Sequence, residues 1–381
     1  MYAIINGKII DGHKLIKNQA IIIEQNIIAK IVSLQDVPTT LEKVDVQGAY
    51  IAPGFIDLQV NGCGGVLFND DISLQTIETM LETNLKFGCT SFLPTLISSS
   101  KEDITKALDV TKDAYKLMPN NVLGAHIEGP YISKIKKGIH DEQYIRPLNE
   151  EETNIFRNKV KEVPIMLTIA PEVNDLGLVV NLLQSGVKVS MGHTNANYKE
   201  AMEVIDLGVN HATHLFNAMA PLHHRDSGVT AAVLNNQSVS TGMIMDGMHV
   251  DFNVIKLVKQ VKGENLYIVT DAATPAGTKD VTKFKFGGKD LVVVNGKALD
   301  KNGTLGGSLI TMIESVYNAA EILGFGLIEA VRMASLYPAR IMNCHHKLGL
   351  IKHGYIANLA IFDCDYNMRY TVNGGKLLKL Y

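Results

Sequence analysis

The sequence contains no tryptophan, so stacking on an indole face is excluded as a way of holding a sugar ring. Its four cysteines, Cys63, Cys89, Cys344 and Cys364, show no C-x-x-C spacing, which argues against a structural zinc ribbon and against a disulfide framework. Free thiols in a reducing, cytoplasmic compartment are the plain expectation. Neither sign of charge dominates: 36 Lys and Arg stand against 39 Asp and Glu, a formal net charge of −3. General attraction to nucleic acid or to an anionic membrane is therefore not expected, and an anionic substrate would have to be bound by local residues. No stretch approaches the ~20 apolar residues of a membrane span; the run from Ile21 to Val32 is broken by Glu24, Gln25, Asn26 and Lys30. The opening residues lack a basic segment followed by an unbroken apolar core, so no signal peptide is expected.

What is present is ordinary globular material, 46% hydrophobic and 20% charged over 381 residues. That length exceeds the usual single core, so one large domain with a smaller satellite is expected. The first fifty residues read as β structure: Ile4-Ile5, Ile9-Ile10, Ala20 to Ile23, Ile27 to Ile31 and Val44 to Val46 are short apolar runs between turn residues. Asn6-Gly7 is a favoured two-residue hairpin turn. The last thirty residues look alike, with Ala360 to Phe362, Tyr370 to Val372 and then Asn373-Gly374 before Lys376 to Leu378. A small β-sandwich domain built from both termini, 1–53 with 349–381, follows from this symmetry.

Between these ends the pattern alternates. Phe92-Leu93, Val122 to Ile127, Met166 to Ala170, Val187 to Met191, Val209 to Thr213, Val239 to Ile244 and Leu266 to Thr270 read as strands. Ser73 to Phe87, Asn149 to Val160 and Tyr198 to Leu207 have helical spacing, the last with Gly208 as a C-terminal cap. Strands alternating with helices imply a parallel sheet, and so many repeats fit an α/β fold, a (β/α)8 TIM-like barrel over 54–348. A Gly-rich, strand-like insertion from Lys283 to Gly307, with Asn295-Gly296 as a turn, precedes a helix expected near Ser308 and could cover the mouth of the barrel.

Eight of the twelve histidines fall between positions 126 and 249. Four apolar, β-branched runs end in Glu128, His193, His214 and Asp271, and strand C-termini face the active-site mouth of such a barrel. One acid and two imidazoles suit Zn²⁺ or a neighbouring divalent ion with room left for water. Asp271 reads either as a turn or helix N-cap aspartate or as a general base beside an activated water.

At this point an ordered set of motifs spans nearly the whole chain: Pro53-Gly54-Phe55-Ile56-Asp57 through Gly65, His126-Ile127-Glu128-Gly129-Pro130, Lys136-Lys137-Gly138-Ile139-His140, Gly192-His193-Thr194-Asn195-Ala196, Thr213-His214-Leu215-Phe216-Asn217-Ala218-Met219, Met245 to Val250, Thr270-Asp271-Ala272 and Gly303 to Ser308. The chain resembles the N-acetylglucosamine-6-phosphate deacetylases of the amidohydrolase superfamily. The resemblance implies a hydrolase of amino-sugar catabolism and cell-wall sugar recycling, with Glu128, His193 and His214 as metal ligands and Asp271 as catalytic acid/base. It implies His140 as the group that polarises the acetyl carbonyl. Substrate contacts fall to Ile139, Asn217, Ala218, Asp246, Gly247, Met248, Leu305, Gly306 and Gly307, and phosphate binding to His249 and Arg225. In this family the arginine comes from the neighbouring subunit, which implies a homodimer. One divalent ion per subunit is expected, Zn²⁺ or Fe²⁺ first, with Mn²⁺ and Co²⁺ also able to use these ligands.

One departure from the wider superfamily is informative. Its usual first-strand His-x-His reads here Gln59-Val60-Asn61, and neutral amides are poor ligands for zinc-like ions, so a single metal is expected. After Arg225, Asp226-Ser227 stands where many relatives have Glu-Pro. Other histidines take plainer readings: His126 supports the site from the face it shares with Glu128, His211 faces the other way into packing, His223-His224 either line the site or are simply exposed, and His345-His346 are solvated. Met243, Met245 and Met248 read as packing. Two rivals stay open: another amidohydrolase, acting on a different amino-sugar phosphate or a cyclic amide, and a catalytically silent sugar-phosphate sensor.

Overall fold

The computed structural model describes residues 1–380. The chain divides into two compact units, one comprising Met1–Asp57, Leu81–Phe92 and Thr311–Tyr381, the other Leu58–Met80 and Leu93–Ile310.

In the first unit a four-stranded sheet has the order Ile27–Ser33, Gln19–Glu24, Tyr2–Ile5, Glu42–Asp45. A six-stranded sheet runs Lys376–Lys379, Met368–Asn373, Leu359–Phe362, Tyr50–Pro53, Lys8–Ile10, Leu15–Ile16, and so takes strands from both termini. The period of two is visible in the packing. Ile4, Ile21 and Ile23 join one core with Ile51, Leu359, Ile361 and Val372, while Ala3, Ala20 and Ile22 face a second cluster with Val37.

The Asn6-Gly7 hairpin does not form. Tyr2–Ile5 pairs with Gln19–Glu24 and Glu42–Asp45, whereas Lys8–Ile10 pairs with Leu15–Ile16 and Tyr50–Pro53. Asn6 is left-handed at φ 58°, but the chain here steps from one sheet to the other. A Cβ at Gly7 would meet Ile51 Cδ1 at 2.3 Å, so this glycine serves close packing rather than a two-residue turn. Long-range burial overrode the local signal. Asn295-Gly296, with φ 49° and 76°, does turn a hairpin between Lys289–Val294 and Lys297–Leu299. At the C-terminus the turn pair is Gly374-Gly375, φ 56° and 80°, one residue beyond the expected dipeptide.

Eight strands form one sheet in chain order: Phe55–Val60, Cys89–Ile97, Ala125–Glu128, Ile165–Ile169, Lys188–Met191, His211–Ala212, Ser240–Ile244 and Leu266–Val269. The ladders from the second strand to the eighth are parallel. A parallel bridge between Val60 and Ala272 brings the last strand's exit back to the first, making a nearly closed barrel. Six of these strands, Phe55–Val60, Cys89–Ile97, Ala125–Glu128, Ile165–Ile169, His211–Ala212 and Leu266–Val269, are buried at every residue, as expected where both faces of a parallel sheet are covered.

The helices between strands begin at side-chain caps. Ser100, Asn149, Asp175 and Asp251 each accept a backbone N–H of the first turn, and Asn197 forms a capping box with Glu200. Each cap satisfies a donor that the helix itself cannot. The helix Tyr198–Asp206 ends at Leu207, with Gly208 following at φ 112°. The insertion is a three-stranded antiparallel sheet, Lys283–Phe286, Lys289–Val294 and Lys297–Leu299. Its apolar side packs Phe286, Leu291 and Ala298 against Ile97, Ile139 and Ala273, so it rests on the loops that follow the barrel strands. The helix expected near Ser308 starts at Met312, where Thr311 and Glu314 supply a capping box.

Candidate active site

Glu128 closes the third barrel strand, and His193, His214 and Asp271 lie just past the fifth, sixth and eighth. The latter three leave their strands left-handed, at φ 47°, 26° and 52°. Residues with a side chain rarely adopt this region, and such strain concentrates at functional sites. Here the reversal keeps each side chain at the barrel mouth while the loop turns outward.

Glu128 Oε1 stands 2.7 Å from His214 Nε2 and 3.1 Å from His193 Nε2, and the two nitrogens are 3.2 Å apart. His193 Nδ1 faces the Lys136 carbonyl at 3.0 Å. A carbonyl only accepts, so the neutral ring carries its proton on Nδ1 and presents a lone pair at Nε2. Three electron-rich atoms thus converge, with a single proton able to lie between Glu128 and His214. A divalent cation satisfies such a donor set, and these residues fit one. All three are nearly fully buried. Burial would raise the Glu128 pKa, but the neighbouring His193 and His214 imidazoles hold it well below the usual carboxylate range. Burial presses His214 down, and the Glu128 carboxylate outweighs this, lifting it to about 9.

His140 lies beside this cluster, its ring centroid 4.3 Å from that of His193. By proximity it too could join Glu128 and His193 around an ion, their ligand atoms lying within 4.8 Å of one another. Its hydrogen bonds point elsewhere. The Ser98 backbone N–H donates to His140 Nδ1 at 3.3 Å and the Ser98 hydroxyl lies 2.7 Å from the same nitrogen. Nδ1 is therefore the acceptor, and the neutral ring carries its proton on Nε2. Burial, then the neighbouring His193, hold His140 well below the ordinary histidine pKa, so the ring stays neutral and offers an N–H donor.

Two amides meet the fourth residue. Gln59 Nε2 donates to Glu128 Oε1 at 3.1 Å and to Asp271 Oδ1 at 3.0 Å, and Asn61 Nδ2 donates to Asp271 Oδ1 at 2.7 Å. The backbone reinforces this: Asp271 N–H bonds Gln59 O, and Asn61 N–H bonds Ala272 O. Burial, then the Glu128 charge, push the Asp271 pKa up to about 6. A carboxyl group tuned near neutrality can both accept and return a proton.

A cavity of about 300 Å³ is lined by Glu128, Ile139, His140, His193, His214, Asn217, Ala218, His249, Asp271, Leu305 and Gly307. It is also lined by Asn61, Lys136, Ile97, Phe286 and Thr304, which sequence reading did not assign to the substrate. Lys136 and Thr304 stood in recognised motifs, and their positions ahead of Gly138-Ile139-His140 and Leu305-Gly306-Gly307 were the available signals; Phe286 reaches the site through the insertion, at a position that carries no motif. His249 Nδ1 bonds Asp246 Oδ2 at 2.6 Å, while Asp246 Oδ1 accepts the N–H groups of Met248 and His249. Burial would raise the Asp246 pKa, and the bond from His249 outweighs it. Asp246, Gly247, Met248, Gly306 and Arg225 are off the cavity wall, and Arg225 is exposed.

The remaining histidines are outside the cluster. His126 donates from Nδ1 to Leu58 O and receives the Thr168 hydroxyl at Nε2, both at 3.0 Å or less, buried beneath Glu128. His211 is buried, and His223 and His224 are exposed with their rings 4.1 Å apart. His345 and His346 are exposed. Met243 and Met245 are fully buried, whereas Met248 is 40% exposed and lies on the surface rather than in packing.

A model of the amidohydrolase family matches residues 50–378, and one of the NagA composite domain matches residues 1–51. Over 377 residues the chain is 41% identical to an N-acetylglucosamine-6-phosphate deacetylase of Haemophilus influenzae, covering 98% of each. It is 34% identical to an N-acetylgalactosamine-6-phosphate deacetylase of a Shewanella species, covering 98% of this chain and 94% of that one. The crystal structure of N-acetylglucosamine-6-phosphate deacetylase from Pasteurella multocida superposes with a TM-score of 0.96 at 44% identity, over 99% of both chains.

Proposed function

The chain belongs to the amidohydrolase family, and from that premise we propose that it hydrolyses the acetamide of N-acetyl-D-glucosamine 6-phosphate, releasing acetate and D-glucosamine 6-phosphate in amino-sugar metabolism. The observation that carries the chemistry is the convergence of Glu128, His193 and His214 on one point, beside an Asp271 held by two amide donors.

Glu128, His193 and His214 would hold one divalent ion, Zn²⁺ or Fe²⁺, with Mn²⁺ and Co²⁺ compatible with the same ligands. When bound, such an ion supplies Lewis acidity, lowering the pKa of water toward ~7 and polarising a carbonyl. Gln59 supports a single ion, because its amide N–H groups occupy the space between Glu128 and Asp271. Asp271 takes a proton from the attacking water; its Oδ1 is already bound, and Oδ2 makes no hydrogen bond among the described residues. His140 donates its Nε2–H to the carbonyl oxygen as negative charge develops there. Asp271 then returns the proton to nitrogen as the C–N bond breaks, so one carboxyl group serves as base and acid in turn.

Ile139, Asn217, Ala218, Leu305 and Gly307 surround the sugar. His249, oriented by Asp246, binds the phosphate together with Arg225 of a second copy in a homodimer. The exposed position of Arg225, off its own cavity wall, supports that sharing, and its planar donors suit phosphate. No helix among the described residues is long and apolar enough to cross a membrane, and four cysteines that stay as thiols rather than disulfides fit a cytoplasmic protein.

Acetate release from N-acetylglucosamine 6-phosphate, its C4 epimer and the unphosphorylated sugar, with metal content measured alongside, tests this reading. We expect one ion per chain, loss of activity on chelation, recovery on adding back the divalent ion, and strong preference for phosphorylated substrate. Equal rates without the phosphate sink the substrate assignment, and full activity in metal-free protein sinks the mechanism.

A further inference from the structure

Asn61 is 1% exposed, lines the cavity, and has its Oδ1 without any hydrogen-bond partner. Its orientation is settled by chemistry: the Asp271 carboxylate only accepts, so the atom 2.7 Å from it must be Nδ2. The oxygen is then a buried acceptor left open beside the proton-transferring carboxyl. A buried polar atom without a partner is uncommon in a native structure and calls for a ligand or water.

Resting on the deacetylase reading, we propose that Asn61 Oδ1 accepts the N–H of the substrate's scissile amide. That N–H is a donor carried down against buried groups at the floor of the cavity, where it needs an acceptor. Two of the other acceptor atoms nearby are already engaged. Glu128 Oε1 faces His193, His214 and Gln59, and Asp271 Oδ1 receives both Gln59 and Asn61. Asp271 Oδ2 has to face the same nitrogen to protonate it, which puts the amide within reach of the neighbouring Asn61 oxygen. Holding the N–H there also directs chemistry. Once water has added to the carbonyl carbon, the nitrogen becomes pyramidal and gains a lone pair; with its N–H tied to Asn61, that lone pair is turned toward Asp271. The C–N bond then breaks as the proton moves from Asp271 to nitrogen. An amide oxygen suits the role because it accepts without itself taking the proton.

Gln59 provides the contrast. It donates to Asp271 in the same way, so a residue acting only through Asp271 should behave as Gln59 does. The test compares N-acetylglucosamine 6-phosphate with 2-O-acetylglucose 6-phosphate, in which an ester oxygen replaces the N–H. In Asn61→Leu, kcat/KM for the amide is expected to fall roughly tenfold further than for the ester. In Gln59→Leu both substrates should fall together. Asn61→Ala, which places no bulky carbon against Asp271, is read the same way and guards against a misfolded Leu variant. Parallel losses on both substrates in the Asn61 variants overturn the proposal and leave Asn61 as a positioning residue for Asp271. Absence of acetate release from the amide by the unmutated protein instead refutes the deacetylase reading itself.

Discussion

The Ser98 hydroxyl sits 2.7 Å from Nδ1 of His140, and the backbone N–H of the same serine addresses that nitrogen from 3.3 Å. Two donors on one side of the ring settle which nitrogen carries the proton. Ser98→Ala keeps the backbone donor and removes the hydroxyl, a loss of about 1 kcal/mol for one hydrogen bond. We expect kcat to fall roughly fivefold, with KM and metal content unchanged. Replacing His140 itself with Ala should cost about 10²- to 10³-fold in kcat, the scale of a lost oxyanion donor. Steady-state kinetics of the two variants checks both; an unaltered kcat in His140→Ala removes His140 from the reaction.

Asp271→Asn separates proton transfer from binding. The amide keeps an oxygen that can still accept from Asn61 and Gln59, while the proton-exchanging function is gone. Turnover should drop by about 10²- to 10⁴-fold, whereas metal content and affinity for N-acetylglucosamine 6-phosphate stay near those of the unmutated protein. Calorimetric titration with substrate, beside acetate release, reads the two separately. Near-normal turnover in this variant defeats the acid/base assignment.

The parts of this molecule that were legible in sequence share one property: their cause is local. Apolar runs such as Leu266–Val269, buried on both faces, announce parallel strands, and Asn197 with Glu200 announces a helix start. The cluster of Glu128, His193 and His214 was legible because each follows such a run. What was not legible depends on distant chain. Asn6-Gly7 carries a hairpin signature, yet Ile51 packs where a side chain at Gly7 would stand, and the flanking strands went to different sheets. Lys136 comes to the wall because its carbonyl receives His193 Nδ1, a contact across 57 residues. Gln59 and Asn61 were legible as missing histidines, but their bonds to Asp271 required the barrel to close.

Arg225 is exposed and does not line the cavity of its own chain. If it serves a second copy, two defective chains can complement each other. Arg225→Ala should lose phosphate affinity, seen as a raised KM for the phosphorylated substrate with a smaller change for the unphosphorylated sugar. Co-expressed with Asp271→Asn, it should recover up to about a quarter of full activity, since half of randomly paired dimers are mixed and each holds one intact site. No recovery in any mixture, with mixed dimers confirmed by differential tags, rules out the shared arginine.

His211 makes stability depend on pH away from the reaction. It is 6% exposed, its Nδ1 has no partner, and burial followed by the charge of Lys188 pushes its pKa down to about 3. In the unfolded chain the same group titrates near ~6.5. Between these values the unfolded state binds a proton that the folded state refuses, so stability falls as pH falls through that window and is unaffected by this group above it. From pH 7.5 to pH 5 the loss attributable to His211 is about 2 kcal/mol. His211→Phe keeps a ring in the space and cannot titrate. Urea unfolding of the two proteins at both pH values should show the unmutated chain losing more stability on acidification. His126, which burial lowers to about 4, is present in both and cancels in the comparison. Equal losses in the two proteins mean that His211 accepts its proton without disturbing the fold, and the acid sensitivity then belongs to other groups.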